Sequence, residues 1–258
     1  MLIQTHLFSR VLQQHTGMML ALPTEAGRVA RRFPVLYLLH GGTEDSTIWF
    51  REVNVEAIAE AYGLIAVSID AMSSSYADMA HGGAYFTYLT EEVPQVLAAR
   101  LPISMRRAET WIGGFSMGGH GALKAALRCP DRYGACIAMS GARDMVGLFQ
   151  KWANMEGGPD LRGVTDALGP IDEIYGGEND LLALAERAAP HQDQLPRLYL
   201  SCGREDYAAP LSRAYHEHLL ALGLSHDYYE APGPHNYQVA ERALRYALDQ
   251  ITKGGVCA

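Results

Sequence analysis

The sequence predicts an α/β chain: a doubly wound, mostly parallel sheet with helices on both faces and one small inserted cap. Three observations predict it. Short apolar runs alternate with amphipathic stretches along most of the chain, the rhythm of βαβ units. The runs are apolar at every position instead of every second one, as strands covered on both faces require. One interval, Arg143 to Gln194, is too long for a crossover, and such segments are often lids over a site.

The elements follow in order. The first 25 residues read as two edge strands around a turn. Val35–Leu39 (VLYLL), Leu64–Ile69 (LIAVSI), Thr110–Ile112 running into GGFS, Ala135–Met139 (ACIAM) and Leu198–Cys202 (LYLSC) read as buried strands, with Tyr228–Tyr229 in one more. Between them, Val53–Tyr62 is amphipathic and stops at Gly63, a natural helix terminator. Tyr88–Leu101 has an acidic first turn, but Pro94 is tolerable there only if the helix starts just before it. Gly119–Arg128, Pro210–Leu222 and Tyr237–Thr252 complete the helical set. Arg143–Gln194 holds Gly-rich breaks and helical pieces such as Leu181–Ala189. It reads as a cap inserted into one domain spanning 1–258.

Composition narrows the function classes. With 48% hydrophobic and 19% charged residues, the chain can bury a core and is not disordered. Its 21 basic and 29 acidic residues give −8, with no basic run, which excludes a charged patch for nucleic acid or anionic membrane. No apolar stretch reaches about 18 residues, so no spanning helix is expected. No leader is read at the N-terminus, and a cytoplasmic location is expected. Cys129, Cys136, Cys202 and Cys257 form no C-x-x-C pair. They read as three buried thiols and a tail cysteine, not as a disulfide framework or a metal site.

The sharpest chemical feature is Gly114-Phe115-Ser116-Met117-Gly118, a G-x-S-x-G between an apolar strand and a small-residue helix. In that setting the pattern is a nucleophile elbow: Ser116 sits on a tight turn and the glycines let strand and helix pass closely. The helix start behind it favours developing negative charge. A serine needs a base, and the base needs an orienting acid. Among ten histidines, His216 and His218 lie about 200° apart around one helix and share no face. His235 stands in the rigid loop APGPHNY after the last strand and is the candidate base. Asp206 in GREDY, after the preceding strand, is the candidate acid, favoured over its neighbour Glu205 for its shorter reach. Its structural alternative is a helix cap. For the oxyanion, one N–H is expected from Met117 and a second from the loop HGGT, at Gly42 or alternatively Gly41. Trp49, Phe115, Tyr207 and Tyr237 flank these loops and are expected as pocket walls.

Taken together, LYLLHGG, TEEVPQVL, WIGGFSMGGHGALKAAL, YGGENDLL, GREDY and GPHNY resemble the putative esterase family. This group of α/β-hydrolases includes tributyrin and feruloyl esterases, S-formylglutathione hydrolases and mycolyltransferases. The resemblance runs from about Phe33 to the last helix. It implies an α/β-hydrolase fold and a carboxylic-ester hydrolase acting on small, short-acyl esters through Ser116, Asp206 and His235. It implies no cofactor or metal and a small-molecule ester as the partner; a homo-oligomer is compatible with it. A thioesterase of the S-formylglutathione type or an acyltransferase uses the same triad and is the alternative. A non-catalytic binding protein of the same fold is the outsider. Two departures stand out: Pro234 precedes the histidine where the family often has Thr or Ser, and Tyr237 replaces a Trp.

Overall fold

Alternate residues of one central strand feed two different cores. Val35, Tyr37 and Leu39 pack on one face of the sheet and Leu36 and Leu38 on the other, all buried. Full burial of such side chains is worth about 1.5–3 kcal/mol each, so a run with no polar position is what this place in the sheet demands. The computed structural model describes residues 1–26 and 31–253; Cys257 lies outside them.

The sheet has eight strands: β1 (Leu2–Ser9), β2 (Gln14–Ala21), β3 (Val35–Leu39), β4 (Ile65–Ile69), β5 (Thr110–Phe115), β6 (Ala135–Met139), β7 (Arg197–Gly203) and β8 (Asp227–Ala231). Their spatial order is β1-β2-β4-β3-β5-β6-β7-β8. The β1–β2 and β2–β4 pairs are antiparallel, and every other pair is parallel. β1 is the edge strand of the amino-terminal hairpin, and its residues alternate between exposed and half-buried. One face of the edge thus stays wet, as antiparallel strands allow.

Short α1 (Ile48–Glu52) precedes α2 (Val55–Tyr62). Asn54 caps α2 by accepting the Ala57 N–H, and Gly63 ends it at φ +59°, a left-handed conformation that glycine adopts freely. The next helical run differs from the expected single helix. It consists of α3 (Tyr85–Thr87), a π turn (Tyr88–Glu92) and α4 (Val93–Ala98). Pro94 lies one residue inside α4 and cannot serve the carbonyl four residues back. That carbonyl, on Thr90, accepts the Arg132 guanidinium instead. The wider turn and the arginine together accommodate the proline.

α5 (Met117–Arg128) is buried along most of its length between β5 and β6. The expected cap divides into two parts. α6 (Met145–Ala153), α7 (Arg162–Leu168) and α8 (Ile171–Ile174) form a short helical layer. α9 (Leu181–Ala188) sends Leu181, Leu184 and Ala185 into the main core beside α5. The last part of the insertion is therefore core, because its apolar stripe faces the sheet's own helix. α10 (Ala209–Ala221) and α11 (Tyr237–Lys253) follow β7 and β8. Ala240, Leu244 and Leu248 of α11 pack in the second core with Leu36 and Leu38.

Candidate active site

The turn between β5 and α5 places Ser116 at the carboxyl end of a central strand. Ser116 has φ +55° and ψ −116°, a conformation that costs a non-glycine residue about 1–3 kcal/mol. Neighbours on both sides hold it there. Its N–H donates to the Met139 carbonyl at 2.8 Å, and its carbonyl accepts the His120 N–H at 3.0 Å. The flanking glycines leave no room for anything larger. A Cβ on Gly114 would lie 2.3 Å from the Gly118 carbonyl oxygen, and one on Gly118 would lie 2.2 Å from that of Leu39.

The loops after β7 and β8 meet beside this turn. His235 Nδ1 and Asp206 Oδ2 are 2.7 Å apart, and the carboxylate is fully buried. The other carboxylate oxygen accepts the Ala208 N–H at 2.7 Å, so Asp206 also shapes the entry to α10. Burial by itself would raise its pKa. The hydrogen bonds from His235, the Ala208 N–H and the Ser140 hydroxyl outweigh burial and hold it below the ordinary carboxylate value. An ionised Asp206 accepts a hydrogen bond from the Nδ1–H, which leaves Nε2 as the nitrogen available for proton exchange. The neighbouring Glu205 does not meet the ring: it accepts the Gly233 N–H in the loop that leads to His235.

Aromatic rings fix the imidazole from two sides. Phe115 and Tyr207 lie with centroids 4.5 and 4.7 Å from it. Phe115 immediately precedes Ser116, so this contact sets the imidazole against the elbow. The four expected pocket aromatics have other tasks. Trp49 is fully buried and donates its indole N–H to the Leu39 carbonyl at 2.9 Å. Tyr237 packs edge-on against Trp49 at 4.9 Å, and Phe115 packs against Tyr237 at 4.8 Å. These three support the loops from beneath. Tyr207 is 70% exposed at the rim. Trp49, Phe115, Tyr207 and Tyr237, expected as pocket walls, are not among the residues that line the cavity over Ser116.

A cavity of about 340 Å³ opens over Ser116, with Met117 and Gly42 in its lining. Met117 begins α5, and the first N–H groups of a helix have no intrahelical acceptor. The Gly41 N–H is already engaged, with Glu44 at 2.7 Å and the Tyr237 hydroxyl at 3.4 Å. Gly42, not Gly41, therefore faces the cavity as the second candidate donor. The apolar wall comes from the expected cap, including Met145, Val146 and Phe149 of α6. His120 and Arg143 also line the cavity. In the sequence His120 reads as a packed or solvated residue of the helix after the elbow, and Arg143 only as the start of an irregular segment, so neither carries a signal for the site.

Residues 9–244 match the family described as "Putative esterase". An acetyl esterase from Caldicellulosiruptor saccharolyticus is 23% identical over 98% of both chains. Among solved structures, fluorophosphonate-binding serine hydrolase F from Staphylococcus aureus superposes with a TM-score of 0.88 at 24% identity, over 98% of each chain. The S-formylglutathione hydrolase of the same organism gives 0.85 at 24% identity, again over 98% of each. Among the described residues, no helix is long and apolar enough to cross a membrane. A strained serine between strand and helix, a buried carboxylate–imidazole pair beside it and a family match over most of the length agree: the chain belongs to the putative esterase family and is a carboxylesterase of the α/β-hydrolase fold.

Proposed function

We propose that this enzyme cleaves small, short-acyl esters through an acyl-enzyme on Ser116. The observation that carries the reading is the 2.7 Å contact between His235 Nδ1 and buried Asp206, beside a serine held at φ +55°. Ser116 attacks the ester carbonyl while His235 Nε2 takes the hydroxyl proton. The N–H groups of Met117 and Gly42 stabilise the oxyanion, a contribution worth several kcal/mol of barrier in such sites. His235 then gives its proton to the leaving alcohol, and water releases the acid by the same steps in reverse. Asp206 keeps the imidazole in one tautomer throughout. The layer of α6, α7 and α8 acts as the lid that shapes the acyl pocket.

The experiment is hydrolysis of 4-nitrophenyl acetate, butyrate and octanoate by the wild type and by Ser116→Ala. Activity that falls with chain length and vanishes in Ser116→Ala supports the reading. Equal activity in both proteins, or no labelling of Ser116 by a fluorophosphonate, refutes it. The likeness to an S-formylglutathione hydrolase favours a second reading, a thioester leaving group at the same serine. A higher kcat/KM for S-formylglutathione than for aryl acetates would select it.

A further inference from the structure

Two charged side chains line the cavity, and they are treated differently. Asp160 is neutralised by Arg162, with Nε 2.8 Å from its carboxylate. Arg143 makes no ion pair among the described residues. It is 92% buried, being 8% exposed. Its Nε is 2.9 Å from the Met145 sulfur, its guanidinium stands 5.7 Å over the Tyr207 ring, and its Nη1 is buried without any partner. Burying a cation costs several kcal/mol unless an anion compensates, and native structures rarely leave such a group unsatisfied without a use for it.

A second orphan stands in the same cavity wall. His120 is 6% exposed and its Nδ1 also lacks a partner. Burial, with the Lys124 and Arg143 cations adding to it, pushes its pKa down to about 3. The ring is therefore neutral, and Arg143 carries the positive charge of this wall. Gly141 presses the Arg143 segment against the elbow: a Cβ there would lie 2.4 Å from the Ser116 carbonyl oxygen. Met145, Val146, Phe149 and Val164 give the cavity an apolar lining beside these groups.

We propose that Arg143 is an anion subsite of this cavity, and that the ester cleaved carries a carboxylate joined to the ester group through a short apolar stretch. The inference rests on Ser116 being the nucleophile of the same cavity. Two sources supply this chemistry. If the carboxylate is on the acid side, the substrate is a half-ester of a dicarboxylic acid: Ser116 Oγ takes the carboxyacyl group, the alcohol leaves with the proton from His235, and water releases the diacid. If it is on the alcohol side, the substrate is an acyl ester of a hydroxy acid, and the hydroxy acid is the leaving group.

The test compares two matched pairs of esters: mono-4-nitrophenyl glutarate against 4-nitrophenyl valerate, and 4-acetoxybenzoate against 4-tolyl acetate. In one pair the wild type should favour the charged member roughly tenfold in kcat/KM, and that pair identifies the side. Arg143→Met should cut the charged-to-neutral ratio about tenfold, while Arg143→Lys keeps part of it. Parity in both pairs for the wild type, or a ratio that Arg143→Met leaves intact, overturns the proposal. If the wild type cleaves none of the four, the nucleophile reading fails, and binding decides the subsite. Valerate but not valeramide should then raise the Tm of the wild type, with the rise lost in Arg143→Met. No rise with valerate overturns the subsite as well.

Discussion

The Tyr237 hydroxyl hydrogen-bonds a carboxylate oxygen of Glu44, a residue 193 positions away. The same oxygen accepts the Gly41 N–H at 2.7 Å. This contact ties the loop that carries Gly42 to the start of α11, two residues past His235. Burial, and then the Glu44 carboxylate beside it, hold the phenol far above its ordinary pKa, so Tyr237 stays a donor. The loop of Gly42 and the segment just past His235 are thus joined by one shared oxygen.

Tyr237→Phe should lower kcat about tenfold and leave KM within about threefold, because a misplaced oxyanion donor weakens the transition state more than substrate binding. Stability should drop by about 1 kcal/mol for the lost buried hydrogen bond. Steady-state kinetics on a short-chain aryl ester checks this. A rise in KM with kcat unchanged would show that the contact shapes the pocket and not the donor.

Asp206→Asn should reduce kcat by about 10³–10⁴ with the fold intact, since an amide cannot hold the imidazole in the required tautomer. The carboxyl pKa is depressed in the folded state. Its contribution to stability is therefore complete above its unfolded value and is lost as pH falls through the folded value. Wild type should lose its stability advantage over Asp206→Asn only as pH falls below about 4. Urea unfolding from pH 3 to pH 7 would reveal an advantage that instead persists in acid.

Gly118→Ala should cost at least about 3 kcal/mol or prevent soluble expression, because the new methyl would meet the Leu39 backbone at 2.2 Å. The strand cannot yield there without shifting the Gly42 loop that follows it. Near-wild-type urea stability would contradict so close a passage.

Lys124 is fully buried and gives hydrogen bonds to the Ser75 carbonyl and the Asn179 side chain, both at 2.8 Å. Burial, and then Arg128, lower its pKa to about 7. The unfolded chain binds this proton more tightly, so the wild type should gain stability as pH rises from about 7 towards 10. Lys124→Met should remove this gain. Parallel pH dependences for the two proteins between pH 7 and 10 would rule it out.

The strands and the elbow were legible in the sequence because their signals are local. VLYLL, ACIAM and LYLSC are apolar throughout since each lies between two layers of helix, and G-x-S-x-G is written in consecutive residues. Asp206 and His235 were legible by chain order, each in the loop after its strand. What the tertiary structure decided lies between distant residues. Only the folded loops show that Asp206 meets the ring while Glu205 holds Gly233, and that Glu44 occupies the Gly41 N–H and leaves Gly42 to the cavity. Only packing shows that Trp49 and Tyr237 lie beneath the site, that Arg132 takes the carbonyl freed by Pro94, and that Leu181–Ala188 is core and not cap. The reason is physical: strand and turn preferences act among neighbours in the chain. Hydrogen-bond partnership and the direction a ring faces depend on which distant surface the fold brings against it.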